Sequence, residues 1–386
     1  MCWVDAVPNK TRSTTRHKKR STEIKVAIVH DWLYGGGAEK VVEQLHKIYP
    51  DAPIYTSYCT DEWRKKLDNK VITGYLQNWP FCKLRKFLPI LRIRWFESLD
   101  LTDYDLIISS SGSEAKGVKN IKPGAMHINY CHAPTHYYWS RYDEYLEEPG
   151  FGSLNTIVRL GLKSLVTPLR SWDYNAAQRP NHIIANSTHI KNNIKEYYDR
   201  ESTVIYPPVN IARFKKYASN KKRSGLIVVG RQVPYKRFDL AILAAIKTNM
   251  QLIVVGNGPM HEKLVDLAKG HENIIFLTNV TDKQLPHLIS EAEYFLFPGI
   301  EDFGITPVEA MACGTPVIAY GQGGALDYIT SQTGILFKTQ TTNAIARAIT
   351  KAQQTTWEPT DISKSTDKFS VENFQKHIKK FIKSVQ

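Results

Sequence analysis

No apolar run in this 386-residue chain approaches the ~18 residues needed to cross a bilayer. The stretch Met1 to Arg20 carries charge but no apolar core, so it does not read as a secretory signal. Cysteine is scarce: five residues, at 2, 59, 82, 131 and 313, with no Cys-x-x-Cys pair among them. That spacing argues against a structural zinc or dithiol site, and scattered thiols in odd number suit a reducing cytosol. No Gly-Lys-Ser/Thr follows the glycine triplet at 35–37, which excludes a P-loop. Only Asp103-Tyr-Asp105 has the spacing of a metal-binding Asp-x-Asp. It stands at the start of a strand pattern, the wrong end for a ligand in an α/β sheet, so it reads as a strand flank and no metal is expected.

Acidic residues are also short, 37 against 51 basic, which leaves a formal charge of +14. Such an excess points to nucleic acid, anionic lipid or phosphorylated substrates. With 42% hydrophobic and 23% charged residues the composition is that of a globular chain, and the length fits two domains. Residues 1–23 have no hydrophobic period and read as a disordered basic arm. Regular structure begins at Lys25–His30, a short apolar run of the kind buried on both faces of a parallel sheet. A helical stripe of Ala38, Val41, Val42, Leu45 and Ile48 follows. Further strand-like runs lie at 106–108, 127–131 and 183–185, with Ser187 as the N-cap of the next helix. Pro207-Pro208 breaks the pattern. It then restarts with runs at 226–229, 252–255, 274–277, 294–297 and 316–319, separated by helical patterns. The spacing therefore predicts an α/β protein with two Rossmann-like domains, parallel sheets facing a central cleft, at 24–205 and 206–369. A last amphipathic helix, 370–386, is expected to pack back on the first domain.

The segment 297–317 carries the most chemistry. A strand ends at Phe297, a glycine-containing loop follows, and Thr306-Pro307 reads as a helix cap and first helical residue. Glu309, three residues after Thr306, completes a capping box. Alternatively, the backbone N–H groups of Phe303, Gly304, Ile305 and Thr306 face a diphosphate, and Glu309 accepts hydrogen bonds from a ribose diol. Glu301, on the loop, has no capping role and can reach a sugar beyond the phosphates.

Glu301-x7-Glu309 followed by Ala-Met-Ala-Cys-Gly-Thr-Pro-Val resembles the signature of the family-4 retaining glycosyltransferases, which have the GT-B fold. Gly230-Arg231-Gln-Val-Pro-Tyr-Lys236-Arg resembles that family's donor-phosphate motif. His30-Asp-Trp-Leu-Tyr-Gly-Gly-Gly-Ala-Glu-Lys and Tyr130-Cys-His132-Ala-Pro resemble its mannosyltransferase-like branch, as do Asn186-Ser187 and Tyr206-Pro-Pro-Val-Asn210. The likeness runs over residues 24–386. It implies a nucleotide diphosphate sugar donor, GDP-mannose by branch, held mainly by the second domain. Arg231 and Lys236 would neutralise the leaving diphosphate, Glu309 would hold the ribose and Glu301 the sugar. His132 and the loop Gly35, Gly36, Gly37 would act from the first domain. Retention by front-face attack is implied, with no cofactor. Two positions depart from the pattern: Arg237, where many relatives carry Gly, and Thr278, in a loop that contacts the base in relatives.

Residues 78–101 and 155–172 interleave cations with aromatic and aliphatic side chains. They fit either an anionic headgroup layer or a core-facing helix with a basic edge. A glycan or lipid-linked acceptor is expected. So is a cytoplasmic protein able to lie on the inner face of a membrane. Nucleic acid is not expected as a partner, because carboxylates at 301 and 309 stand beside the phosphate site. An epimerase or phosphorylase on the same fold, or a basic nucleic-acid-binding protein, remains the alternative.

Overall fold

The computed structural model describes residues 24–84, 88–147, 152, 155–219 and 221–386. The expected basic arm lies outside the described residues. The chain forms two sheets with every pairing parallel. The first holds β1 (Val26–His30), β2 (Ile54–Thr56), β3 (Val71–Ile72), β4 (Leu106–Ser111), β5 (Met126–Cys131), β6 (His182–Ala185) and β7 (Thr203–Val204) in the order β3-β2-β1-β4-β5-β6-β7. The second holds β8 (Leu226–Val229), β9 (Leu252–Val255), β10 (Ile274–Leu277), β11 (Tyr294–Phe297), β12 (Val317–Tyr320) and β13 (Gly334–Phe337) in the order β10-β9-β8-β11-β12-β13.

Alternation of side chains explains why these runs are apolar throughout. On β8, Leu226 and Val228 face one core while Ile227 and Val229 face the other. On β1 the same split separates Val26 and Ile28 from Ala27 and Val29. In each sheet the strand order reverses once, between β1 and β4 and between β8 and β11. Clefts form at such switch points, outside the carboxyl ends of the strands. The loops after β1, β4, β5, β8 and β11 are therefore where chemistry collects.

The final helix, Val371–Val385, is capped by Ser370, whose hydroxyl accepts from Asn373 N. Its Phe374, Ile378 and Ile382, spaced by one turn, enter the first domain's core beside Val26, Ile28, Val41 and Leu45. The chain thus crosses between the sheets twice, and the two crossings pair: Val209 N donates to Phe369 O at 2.9 Å.

Three expectations change. β4 runs three residues past Ile108, through Ser109, Ser110 and Ser111, all buried. The helix expected from 307 starts at Ile305 with Gly304 as N-cap, so Thr306 sits inside the first turn and forms no capping box with Glu309. The reason is the left-handed backbone of Gly304, φ +85°, which turns the chain into the helix two residues earlier. Segment 78–101 holds helices at Phe81–Leu84 and Pro89–Ser98 among its described residues. One of its cations, Arg92, is buried against Glu114 at 2.7 Å rather than solvated. Asp105 flanks β4 as expected, paired with Lys122 at 2.7 Å.

Candidate active site

The two strongest motifs meet in space. Lys236, in a short turn after β8, places Nζ 2.7 Å from Glu301 Oε1, in the loop after β11. Burial works against the charge on Lys236, but Glu301 and Tyr235 outweigh it and hold its pKa above the ordinary value. Gly230, φ +147°, lets Lys236 fold back: a Cβ there would lie 3.0 Å from Nζ. Arg231 begins the same loop and its side chain is exposed.

The helix Ile305–Ala312 begins four residues after Glu301. Among the described residues, the N–H groups of Asp302, Phe303 and Gly304 find no backbone acceptor. Such groups at a helix start attract an anion. Only the backbone of Phe303 is available, because its ring is packed among Tyr206, Tyr328 and Phe369. Tyr328 Oη donates to Phe303 O at 2.9 Å and fixes the turn from below. Glu309, one turn into the helix, is 6% exposed, and its pKa is raised by burial against the pull of Lys40.

The first domain closes the other side. Lys40 Nζ lies 3.7 Å from Glu309 Oε1. Gly37 faces Ile305 so closely that a Cβ would come within 3.0 Å of Ile305 Cδ1. The exposed glycines 35–37 are shaped by Glu39, whose carboxylate accepts from Gly35 N at 3.0 Å. His132, at the end of β5, places Nε2 2.7 Å from Ser110 Oγ. Burial and the neighbouring His30 push its pKa down to about 3, so the imidazole is neutral at working pH. Its role is then that of a hydrogen-bonding group and not of a cation. Beneath it, the buried Asp31 carboxylate accepts from Gly112 N and Ala115 N, both at 2.8 Å, and braces the loop after β4.

Arg237 takes a left-handed backbone, φ +52°, a conformation that favours glycine; a bond from its guanidinium to Asp239 at 2.8 Å holds the turn. Several cleft residues were not singled out for the site from sequence: Lys40, His136, Arg141 and Asp302, and Ser187, which was read only as an N-cap and as part of the family likeness. His136 Nε2 meets Asp302 Oδ2 at 2.9 Å across the cleft, and Arg141 lies 3.8 Å over the Tyr235 ring. Their partners are 94 or more residues away, beyond the reach of local pattern.

Two doubly wound domains facing each other over a cleft lined by Lys236, Glu301 and Glu309 have the architecture of GT-B glycosyltransferases. Residues 35–213 match the profile "Glycosyltransferase Family 4" and residues 209–369 match "Glycosyl transferases group 1". The alpha-1,3/1,6-mannosyltransferase ALG2 of Saccharomyces cerevisiae is 25% identical over 379 aligned residues, 79% of this chain and 71% of the yeast protein. Its Schizosaccharomyces pombe counterpart is 25% identical over 380, covering 83% of this chain and 72% of its own. The Anabaena protein Alr3699/HepE, solved in complex with UDP, shares the fold with a TM-score of 0.67 at 19% identity, over 94% of this chain and 100% of its own. The chain belongs to the family-4 glycosyltransferases, in their mannosyltransferase-like branch.

Proposed function

We propose that the protein moves a hexose, mannose from GDP-mannose in the first instance, to a glycan or lipid-linked acceptor with retention of anomeric configuration and without a metal. The observation that carries the site is the Lys236–Glu301 pair, set before the free N–H groups of Asp302 to Gly304. In this reading Lys236 and Arg231 gather the diphosphate and stabilise its charge as the glycosidic bond breaks, with the N–H groups completing the cradle. Glu301 turns from Lys236 to the sugar hydroxyls and orients the anomeric carbon. Glu309 grips the ribose once Lys40 lets go. Neutral His132 hydrogen-bonds the sugar or the incoming hydroxyl from the opposite wall. Closure of the cleft keeps out water, which would otherwise hydrolyse the donor.

Mannose rests on the likeness to the two yeast alpha-1,3/1,6-mannosyltransferases, and a nucleoside diphosphate on the ligand of HepE, which is UDP and not GDP. A thermal-shift panel of GDP-mannose, UDP-glucose and UDP-N-acetylglucosamine decides base and sugar together. Glu301→Ala and Lys236→Ala are expected to abolish transfer, by about 100-fold or more, with unchanged far-UV spectra. Wild-type rates in either variant end the assignment.

The acceptor side carries a second part of the proposal, a seat on anionic lipid. The helix Asn155–Ala177 buries nothing until Val166, and Ile157 and Leu160 are 67% and 63% exposed. Residues 155–172 hold three cations and no acid. The segment 78–101 adds Trp79, 80% exposed. No helix among the described residues is long and apolar enough to cross a membrane.

A further inference from the structure

Three side chains of the first domain converge on one short loop of the second. Arg141 Nη2 donates to Ile300 O at 3.1 Å. His136 Nε2 stands 2.9 Å from the Asp302 carboxylate, and Ser187 Oγ donates to Asp302 O. Glu301 is the residue between these two grips. Arg141 also stacks on Tyr235, the neighbour of Lys236. Both members of the central ion pair are therefore flanked by residues that the opposite domain holds.

The gripping segment is itself fixed. It runs from His132 to Arg141, and Asp173 anchors it with a carboxylate that accepts from Thr135 Oγ1 and Trp139 Nε1, both at 2.8 Å, and from Lys116 Nζ at 2.6 Å. Tyr137 Oη donates to Glu114 at 2.9 Å and accepts from Arg92 at 2.8 Å. Buried networks whose carboxylates are partnered in this way are stiff. The His136 ring is aimed by Ser140 Oγ, 2.9 Å from Nδ1, which turns Nε2 toward Asp302. The His136–Asp302 pair is about a quarter exposed on each side, and although burial opposes its charge, His136 and Arg141 hold the Asp302 carboxyl below its ordinary pKa. What it supplies is direction: a rigid strut on one domain touching a short loop on the other.

We propose that His136, Arg141 and Asp302 are positioning residues, which set the Glu301 loop against Lys236 only when the two domains are closed and so tie cleft closure to glycosyl transfer. A displacement of the loop by about 1 Å is enough to cost up to about 100-fold in rate. The inference rests on the reading of Glu301 as the sugar-binding carboxylate.

The test compares wild type with His136→Ala, His136→Gln, Arg141→Lys, Asp302→Asn and the His136→Ala/Asp302→Asn double variant, beside Glu301→Ala. Release of nucleoside diphosphate is followed from GDP-mannose and from UDP-glucose, with methyl α-mannoside as acceptor, and GDP and UDP affinities are measured by calorimetry. Expected is a fall in kcat of about tenfold in His136→Ala, Arg141→Lys and Asp302→Asn. The nucleotide Kd should stay within about twofold, because none of these three side chains is among the groups proposed to hold the nucleotide. His136→Gln, whose amide nitrogen replaces Nε2, should recover most of the rate. The double variant should be no slower than the slower single, since both break one contact. Wild-type kcat in His136→Ala and Arg141→Lys while Glu301→Ala is inactive overturns the positioning role and leaves the site reading standing. A loss seen only in Kd, or additive losses in the double variant, overturns it too. An active Glu301→Ala, or a wild type that turns over neither donor, overturns the site reading and the clasp with it.

Discussion

Glu309 carries a conflict between stability and binding that a single substitution exposes. Its carboxyl is buried and its pKa is raised, because burial outweighs the Lys40 charge 3.7 Å away. A carboxyl whose folded pKa lies above its unfolded value costs stability once it ionises. The cost is absent below the unfolded value of about 4.3, grows as pH rises toward the folded pKa, and is full above it. Glu309→Gln removes the charge and keeps the shape, and Lys40, 41% exposed, is free to return to water. The variant is therefore expected to melt a few degrees higher than wild type at pH 7 and at the same temperature near pH 4. Its affinity for the donor nucleotide should fall by tenfold or more, because the amide offers one neutral acceptor oxygen where the carboxylate offers two charged ones. Melting curves across pH and a nucleotide titration check both halves. A Gln variant less stable at neutral pH would mean that the Lys40 contact outweighs burial.

At the scale of elements, the turn into the helix Ile305–Ala312 depends on one glycine. Gly304 sits at φ +85° with Tyr328 Oη and the Phe297 ring where a Cβ would stand, at 2.7 and 2.8 Å. Gly304→Ala forces backbone and rings apart and is expected to cost about 1–3 kcal/mol. It should also weaken nucleotide binding, since the same turn aims the free N–H groups. Unchanged melting and unchanged GDP or UDP affinity would contradict that account. This turn also marks the limit of what the sequence discloses. Strands made of Val, Ile and Leu, such as β8 and β9, are legible to the residue, because burial on both faces leaves no polar position to confuse the pattern. β4 is legible only to Ile108, since Ser109 to Ser111 look like a loop and are buried by pairing with Asn129, Tyr130 and Cys131 of β5, with Ser109 Oγ also lying 2.8 Å from His127 Nε2. Thr306 and Glu309 have the spacing of a capping box, and local grammar cannot show that Gly304 has already turned the chain. Lys236 and Glu301 were legible as chemistry through their motifs. His136, Arg141 and Asp302 were not, because each has meaning only through a partner in the other domain.

For the molecule as a whole, the cleft has to reach an acceptor, and the surface of the first domain indicates from where. The helices Pro89–Ser98 and Asn155–Ala177 share a small core of Ile93, Tyr138 and Leu169, so the two basic segments are neighbours. Their inner faces supply Arg92 and Asp173 to the networks under the cleft wall. Outward, the longer helix offers Ile157, Leu160 and Leu165 with the exposed Lys163 beside them, while Arg159 ties the helix to the carbonyls of Leu146 and Glu147. Insertion of Ile157 and Leu160 would contribute about 1.5–3 kcal/mol each if fully buried. Each cation adds about 1 kcal/mol near an anionic surface. Those terms suffice for reversible docking. The protein is expected to sediment with phosphatidylglycerol vesicles and not with phosphatidylcholine vesicles, and to release as salt rises, because the attraction is screened over a Debye length of about 8 Å at physiological ionic strength. Leu160→Glu removes an anchor and adds repulsion, and should abolish sedimentation while leaving the melting temperature nearly unchanged, since that side chain is 63% exposed. Equal binding to neutral vesicles, or sedimentation by Leu160→Glu at the wild-type level, would assign this stripe to another partner and leave the acceptor to arrive from solution.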